Sequence, residues 1–99
     1  MSKYRRAAKI DTNQPGIVAA LVARGVTVQV GHDDILVGHA GKTFWYEIKS
    51  PEAVSKKTGE VRGSALKQSQ KDLLASWRGH YRVVSTVEEI IVDIWGEIL

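Results

Sequence analysis

Two β-rich runs, DILVGH (34–39) and KTFWYEIK (42–49), are separated by only Ala40 and Gly41. Two residues leave room for little but a tight hairpin turn, and so short a loop sets the register of the strands it joins. A third run, VTVQV (26–30), has Val26, Val28 and Val30 alternating against Thr27 and Gln29, the period-two pattern of a strand. Together the three predict an antiparallel meander. Side chains alternate across a strand, so Thr43, Trp45, Glu47 and Lys49 share one face while Phe44, Tyr46 and Ile48 share the other. The hairpin carries Asp34, at the start of its run, alongside the stretch from Glu47 to Lys49. Two carboxylates and an ammonium therefore converge where aspartate, glutamate and lysine are all disfavoured, and a chemical role is the natural reason for keeping them.

Helical signals surround the meander. In DTNQPGIVAALVARG (11–25), Asp11, Thr12 and Asn13 are candidate caps and Pro15 fits only a first turn. Ile17, Val18, Leu21 and Val22 form a stripe that ends at Gly25. SALKQSQKDLLASWRG (64–79) predicts a second helix, with Ser64 as cap, Gly79 as terminator, and Leu66, Leu73, Leu74 and Trp77 on one face. HYRVV (80–84) predicts a short buried strand. The last helix opens at Ser85 or Thr86 with Glu88 and Glu89 at capping-box distance, and turns Val87, Ile90, Ile91, Ile94, Trp95 and Ile98 inward. Residues 50–64 carry Pro51, Gly59 and Gly63 without periodicity and read as a long, basic, mobile loop of the kind often used in function. The order is αβββαβα. A strand reached through a helix after a meander implies a mixed sheet flanked by helices, with a right-handed crossover.

A chain of 99 residues holds one core, read here as a basic arm at 1–10 and a single domain at 11–99. The absence of cysteine excludes a disulfide scaffold or a thiolate metal site and fits a reducing compartment. No apolar stretch approaches the roughly 20 residues that cross a bilayer, and MSKYRRAAKI lacks the apolar centre of a signal peptide, so a cytoplasmic location is expected. The net charge of +3 conceals an asymmetry, because all 14 Lys and Arg lie within residues 1–85 and the charged residues among the last 14 are all acids. Two dense basic patches result, Lys3, Arg5, Arg6 and Lys9, then Lys56, Lys57, Arg62, Lys67 and Lys71. They suit a polyanion, since each neutralised phosphate releases counterions; a solvated basic surface accounts for them equally well.

Hard divalent cations such as Mg²⁺ take oxygen ligands, usually one or two carboxylates with water and substrate phosphate. Asp34 and Glu47 supply that pair, and the Ile48 carbonyl, between Glu47 and Lys49, is a candidate third ligand. Lys49 is placed to orient a water or stabilise charge on a phosphoryl oxygen. A solvated strand face carrying Glu-x-Lys is the plainer alternative. Gln70 interrupts the apolar face of its helix, and a buried amide needs partners: either nearby backbone, or a water on the metal or the scissile phosphate. His32, His39 and His80 show no paired ligand spacing and read as loop or strand-end residues. Trp45, Trp77 and Trp95 are expected in the core, with stacking on a base as the alternative for Trp45.

HDDILVG, YEIK, the helix containing Gln70 and ending in WRG, and the closing VVSTVEEII together resemble the VRR-NUC branch of the PD-(D/E)XK nuclease superfamily. The likeness is greatest to its small stand-alone phage members, related in fold to Holliday junction resolvases, and extends over nearly the whole chain from Asp11. It implies a restriction-endonuclease-like mixed sheet flanked by helices and hydrolysis of DNA phosphodiesters to 5′-phosphate and 3′-hydroxyl ends. It also implies Mg²⁺ or Mn²⁺ on Asp34 and Glu47, with catalytic Lys49 and Gln70, and a homodimer. The proline of the family motif is Asp33 here, which leaves Asp33 as a rival ligand to Asp34. Asp34 is preferred because it directly precedes the apolar ILVG. The first helix lacks the glutamate that some members use as a ligand; Gln14 is its nearest substitute. The basic arm, with Arg5, Arg6 and Lys9, and the 50–64 loop, with Lys56, Lys57 and Arg62, together with Lys67, are the candidate DNA contacts. A non-catalytic DNA-binding or assembly module with the same fold, and a nuclease acting on RNA, are the competing expectations.

Overall fold

The structure is a computed structural model that describes residues 12–97; the basic arm with Arg5, Arg6 and Lys9, and the apolar Ile98, lie outside them. The elements are α1 (Gln14–Ala23), β1 (Thr27–Val30), β2 (Asp34–His39), β3 (Lys42–Ile48), α2 (Gln68–Ser76), β4 (Arg82–Val84) and α3 (Val87–Trp95). This is an α/β chain built on one four-stranded sheet of order β1-β2-β3-β4. The first three strands are antiparallel, and β4, reached through α2, pairs parallel to β3, so the sheet is mixed as the element order predicts.

Ala40 and Gly41 both have positive φ, 54° and 77°, the backbone of a two-residue turn whose twist matches that of the strands it joins. Alanine has a Cβ that opposes this region by about 1 kcal/mol or more. Ala40→Gly is therefore expected to stabilise the fold by about 0.5 kcal/mol, after the extra chain entropy of glycine. The measurement is a higher urea midpoint with an unchanged m-value.

Ile35, Val37, Tyr46 and Ile48 cover one face of the sheet and join Ile17, Leu21, Val26, Val84 and Ile90 in a single core. On this face α1 and α3 pack beside each other. Glu89 accepts from the Ser85 and Thr86 N–H groups at 2.8 and 3.1 Å, and Thr86 Oγ1 accepts from Glu89 N–H, so the capping box at the head of α3 forms as expected. At the head of α1, Asn13 makes no cap bond with its side chain. Its Nδ2 instead donates to the carbonyls of Lys49 and Ser85, at 3.1 and 2.7 Å. Those carbonyls lie where β3 and β4 leave the sheet, and a long-range donor satisfies them better than a cap serves a helix already begun by proline.

Three expectations need correction. Residues 50–64 are folded into 3₁₀ turns at Pro51–Ala53 and Gly63–Ala65, with a small antiparallel bridge between Val54 and Val61. Ser55 and Arg62 donate backbone N–H groups to Glu60 and Ala53 across it. The segment lacks periodicity because its order comes from turns. Ser64 sits in the second of those turns, so α2 starts later than expected, and Leu66 falls outside it. The apolar stripe is thereby broken: Leu74 and Trp77 are exposed, and the buried residue of α2 is Gln70. Trp77 is consequently not a core tryptophan, whereas Trp95 packs against the core. Among the described residues no helix is long and apolar enough to cross a membrane.

Candidate active site

Asp34 stands directly opposite Glu47 in the β2–β3 ladder. Ile48 N–H donates to the Asp33 carbonyl at 2.8 Å, which makes the next pair along the hydrogen-bonded one. Asp34 and Glu47 are then the closer, non-hydrogen-bonded kind of pair, with side chains on the same face. That bond also turns the Ile48 carbonyl toward the start of β2, because the N–H and C=O of one extended residue face the same way. Lys49 follows on the face of Glu47. Its backbone N–H is fixed to the Val84 carbonyl at 2.8 Å, and its Nζ lies 3.8 Å from Glu47 Oε2. The three residues read from the hairpin do converge.

Each carboxylate is held differently. Trp45 donates its indole N–H to Asp34 Oδ2 at 2.8 Å, while Asp34 Oδ1 lies over Gly31, where a Cβ would come within 2.1 Å of it. Only glycine leaves space for this rotamer. Glu47 is 6% exposed, and its Oε2 has no hydrogen-bond donor, since the Lys49 ammonium stands beyond bonding distance. Burial pushes the Glu47 carboxyl up to about 7; Lys49 and Lys67 pull it down, and Asp33 and Asp34 raise it further. Glu47 Oε2 thus has the Lys49 charge beside it but no hydrogen bond.

Other buried polar atoms lack partners. The Tyr81 hydroxyl is buried without one. Its ring packs on Trp45 at 4.7 Å, and burial together with Glu47 and Asp34 pushes the phenol up to about 12. Gln14 is 2% exposed, and both atoms of its amide are unpaired. Tyr81 was not singled out by its sequence context; its place follows from the parallel register that sets Arg82 beside Tyr46 and hence Tyr81 beside Trp45.

Gln70 is buried as expected, but its Oε1 accepts from Lys67 N–H at 2.9 Å and closes the head of α2, leaving only Nε2 for a ligand. Lys67 reaches back to Asp33, Nζ to Oδ2 3.9 Å, which ties α2 to the rim of the site. Asp33 also lies 3.6 Å from His32. Lys56 and Lys57 are exposed on the bridged hairpin, and Arg62 is turned onto the carbonyls of Glu52 and Val54.

A second polar cluster lies across the sheet. Trp45 backbone N–H donates to His80 Nδ1 at 3.0 Å, so the His80 proton is on Nε2, which donates to Asp93 Oδ2 at 2.7 Å. Tyr46 hydroxyl donates to the same oxygen at 2.6 Å. Although burial opposes it, these bonds and Arg82 hold the Asp93 carboxyl below its ordinary range. This is a satisfied structural network, and His80 is more than the strand-end residue its sequence indicates.

Among the described residues no group of three or more His, Asp or Glu side chains is arranged to hold a metal ion. The donor set is two carboxylates and a carbonyl, which matches a cation such as Mg²⁺ that keeps much of its water. No protein-family model, curated protein or solved structure matches the chain.

Proposed function

We propose that the chain is a metal-dependent DNA endonuclease with a restriction-endonuclease-like fold of the VRR-NUC kind, acting as a homodimer. The observation that carries this reading is the buried Glu47 oxygen without a donor, opposite Asp34 and 3.8 Å from Lys49. A buried carboxylate left unsatisfied is costly to a fold, and a divalent cation such as Mg²⁺ or Mn²⁺ relieves that cost. Asp34, Glu47 and the Ile48 carbonyl would hold it, with the Gln14 amide as an additional contact to its water. Once bound, the cation supplies Lewis acidity to an attacking water and to the phosphoryl oxygen.

The remaining work belongs to the chain. Lys49 orients the water and offsets charge developing on the phosphate. The Tyr81 hydroxyl is a free donor for a non-bridging phosphate oxygen. Trp45 and Gly31 keep Asp34 in one rotamer, which matters because a misplacement of about 1 Å costs roughly a hundredfold in rate. Lys56, Lys57 and Lys67 contact phosphates without reading sequence.

The test is incubation with plasmid and with four-way junction DNA, with and without Mg²⁺ or Mn²⁺. Nicks bearing 5′-phosphate ends, made only with metal, are the expected result. Protein that binds these DNAs but leaves them intact with either metal would instead be a non-catalytic module.

A further inference from the structure

Trp77 is 51% exposed. A lone exposed apolar side chain needs no explanation, but this one is held in place. Its Nε1 edge lies against Gly79, where an added Cβ would come within 2.8 Å. Its ring meets that of Trp45 at 5.4 Å and 86°, and Trp45 is bonded to Asp34. A fixed indole therefore offers an open surface one ring away from the candidate catalytic carboxylates.

Cations are at hand. Arg78 follows Trp77 and is exposed, as are Lys67 at the head of α2 and Lys71 within it, beside an exposed Asp72, and Lys67 reaches the rim of the carboxylate site. An aromatic ring braced against Trp45 and Gly79 and followed by an exposed arginine suits a strand of nucleic acid, with bases stacking on the ring and phosphates meeting the charges. Bases inside a duplex are already stacked on both sides. Away from duplex ends, only an unpaired base can lie on Trp77.

We propose that Trp77 is a stacking platform for an unpaired nucleobase next to the scissile phosphate, so that the chain prefers DNA with a single-stranded segment at the cut over plain duplex. The identity of the ligand as DNA rests on the nuclease reading above. Stacking itself is measured without cleavage. In EDTA, labelled oligo(dT) and a duplex of equal length are titrated with wild type, Trp77→Ala and Trp77→Phe. Oligo(dT) affinity should fall about tenfold or more in Trp77→Ala and less in Trp77→Phe, while duplex affinity stays within about twofold. Quenching of tryptophan emission by oligo(dT) should shrink in both variants. Because Trp77 lies outside the core, both variants should melt within a few degrees of wild type, and Trp77→Phe remains a test should the alanine variant unfold.

Equal oligo(dT) affinity in all three proteins would overturn the proposal. So would a tryptophan emission that shifts to shorter wavelength as wild type, but not Trp77→Phe, is concentrated without DNA, because a second copy would then be covering Trp77. The two readings fail separately. Wild type that stacks oligo(dT) but cuts nothing removes the nuclease and keeps the platform; cleavage that is indifferent to Trp77 does the reverse.

Discussion

Metal-dependent cutting of plasmid DNA is expected to fall about a thousandfold or more in Glu47→Gln, since on the nuclease proposal the variant loses a ligand of a cation that would supply several kcal/mol of transition-state stabilisation. Asp34→Ala and Lys49→Met should be as severe. Asp34 provides the other carboxylate, and Lys49 is the ammonium placed 3.8 Å from Glu47 Oε2. Affinity for DNA in EDTA should change by no more than about threefold, because the proposed phosphate contacts are the exposed lysines rather than these three residues. Comparing cleavage rates with filter-bound or gel-shifted DNA separates the two effects. A Glu47→Gln protein that cuts at the wild-type rate would remove the carboxylate pair from the mechanism.

Glu47 also governs the second large effect, which is on stability. Its carboxyl is pushed from an ordinary 4.5 to about 7 in the fold, chiefly by burial. A raised pKa means that the folded state prefers the proton. The associated stability is complete below about 4.5, declines as pH rises, and is lost above about 7. A shift of this size corresponds to about 3 kcal/mol at most. Glu47→Gln, neutral at every pH, should therefore match wild type at pH 4.5 and exceed it by about 2–3 kcal/mol at pH 8 in metal-free urea unfolding. Mg²⁺ should then narrow the gap at pH 8 by stabilising wild type alone. Coincident urea midpoints at pH 8 would show that the buried carboxylate is already satisfied by other means.

The meeting of Asp34, Glu47 and Lys49 was legible because everything it needs is local. A two-residue turn sets the pairing, and strand alternation sets the face. The mixed sheet was legible from element order for the same reason. The choices that side chains make over long separations were not. Asn13 carries the residue type of a cap, yet bonds carbonyls 36 and 72 residues away. Gln70 was visible as a buried amide with nearby backbone as one possible partner, but not that this backbone is the head of its own helix, because the 3₁₀ turn at Gly63–Ala65 delays that helix and periodicity cannot register a turn. Trp77 falls in the stripe of a longer helix than the one that forms. The role of His80 depends on an imidazole acceptor lying beside the Trp45 N–H, which no spacing rule encodes.

Trp45 bonds to both sides of the sheet, its main chain to His80 and its indole to Asp34. It works as a rivet through a plate. Loosening the head on the Asp93 side, as His80→Ala would, lets the shank turn on the other, so a residue that never meets substrate should still blur the aim of a carboxylate across the sheet.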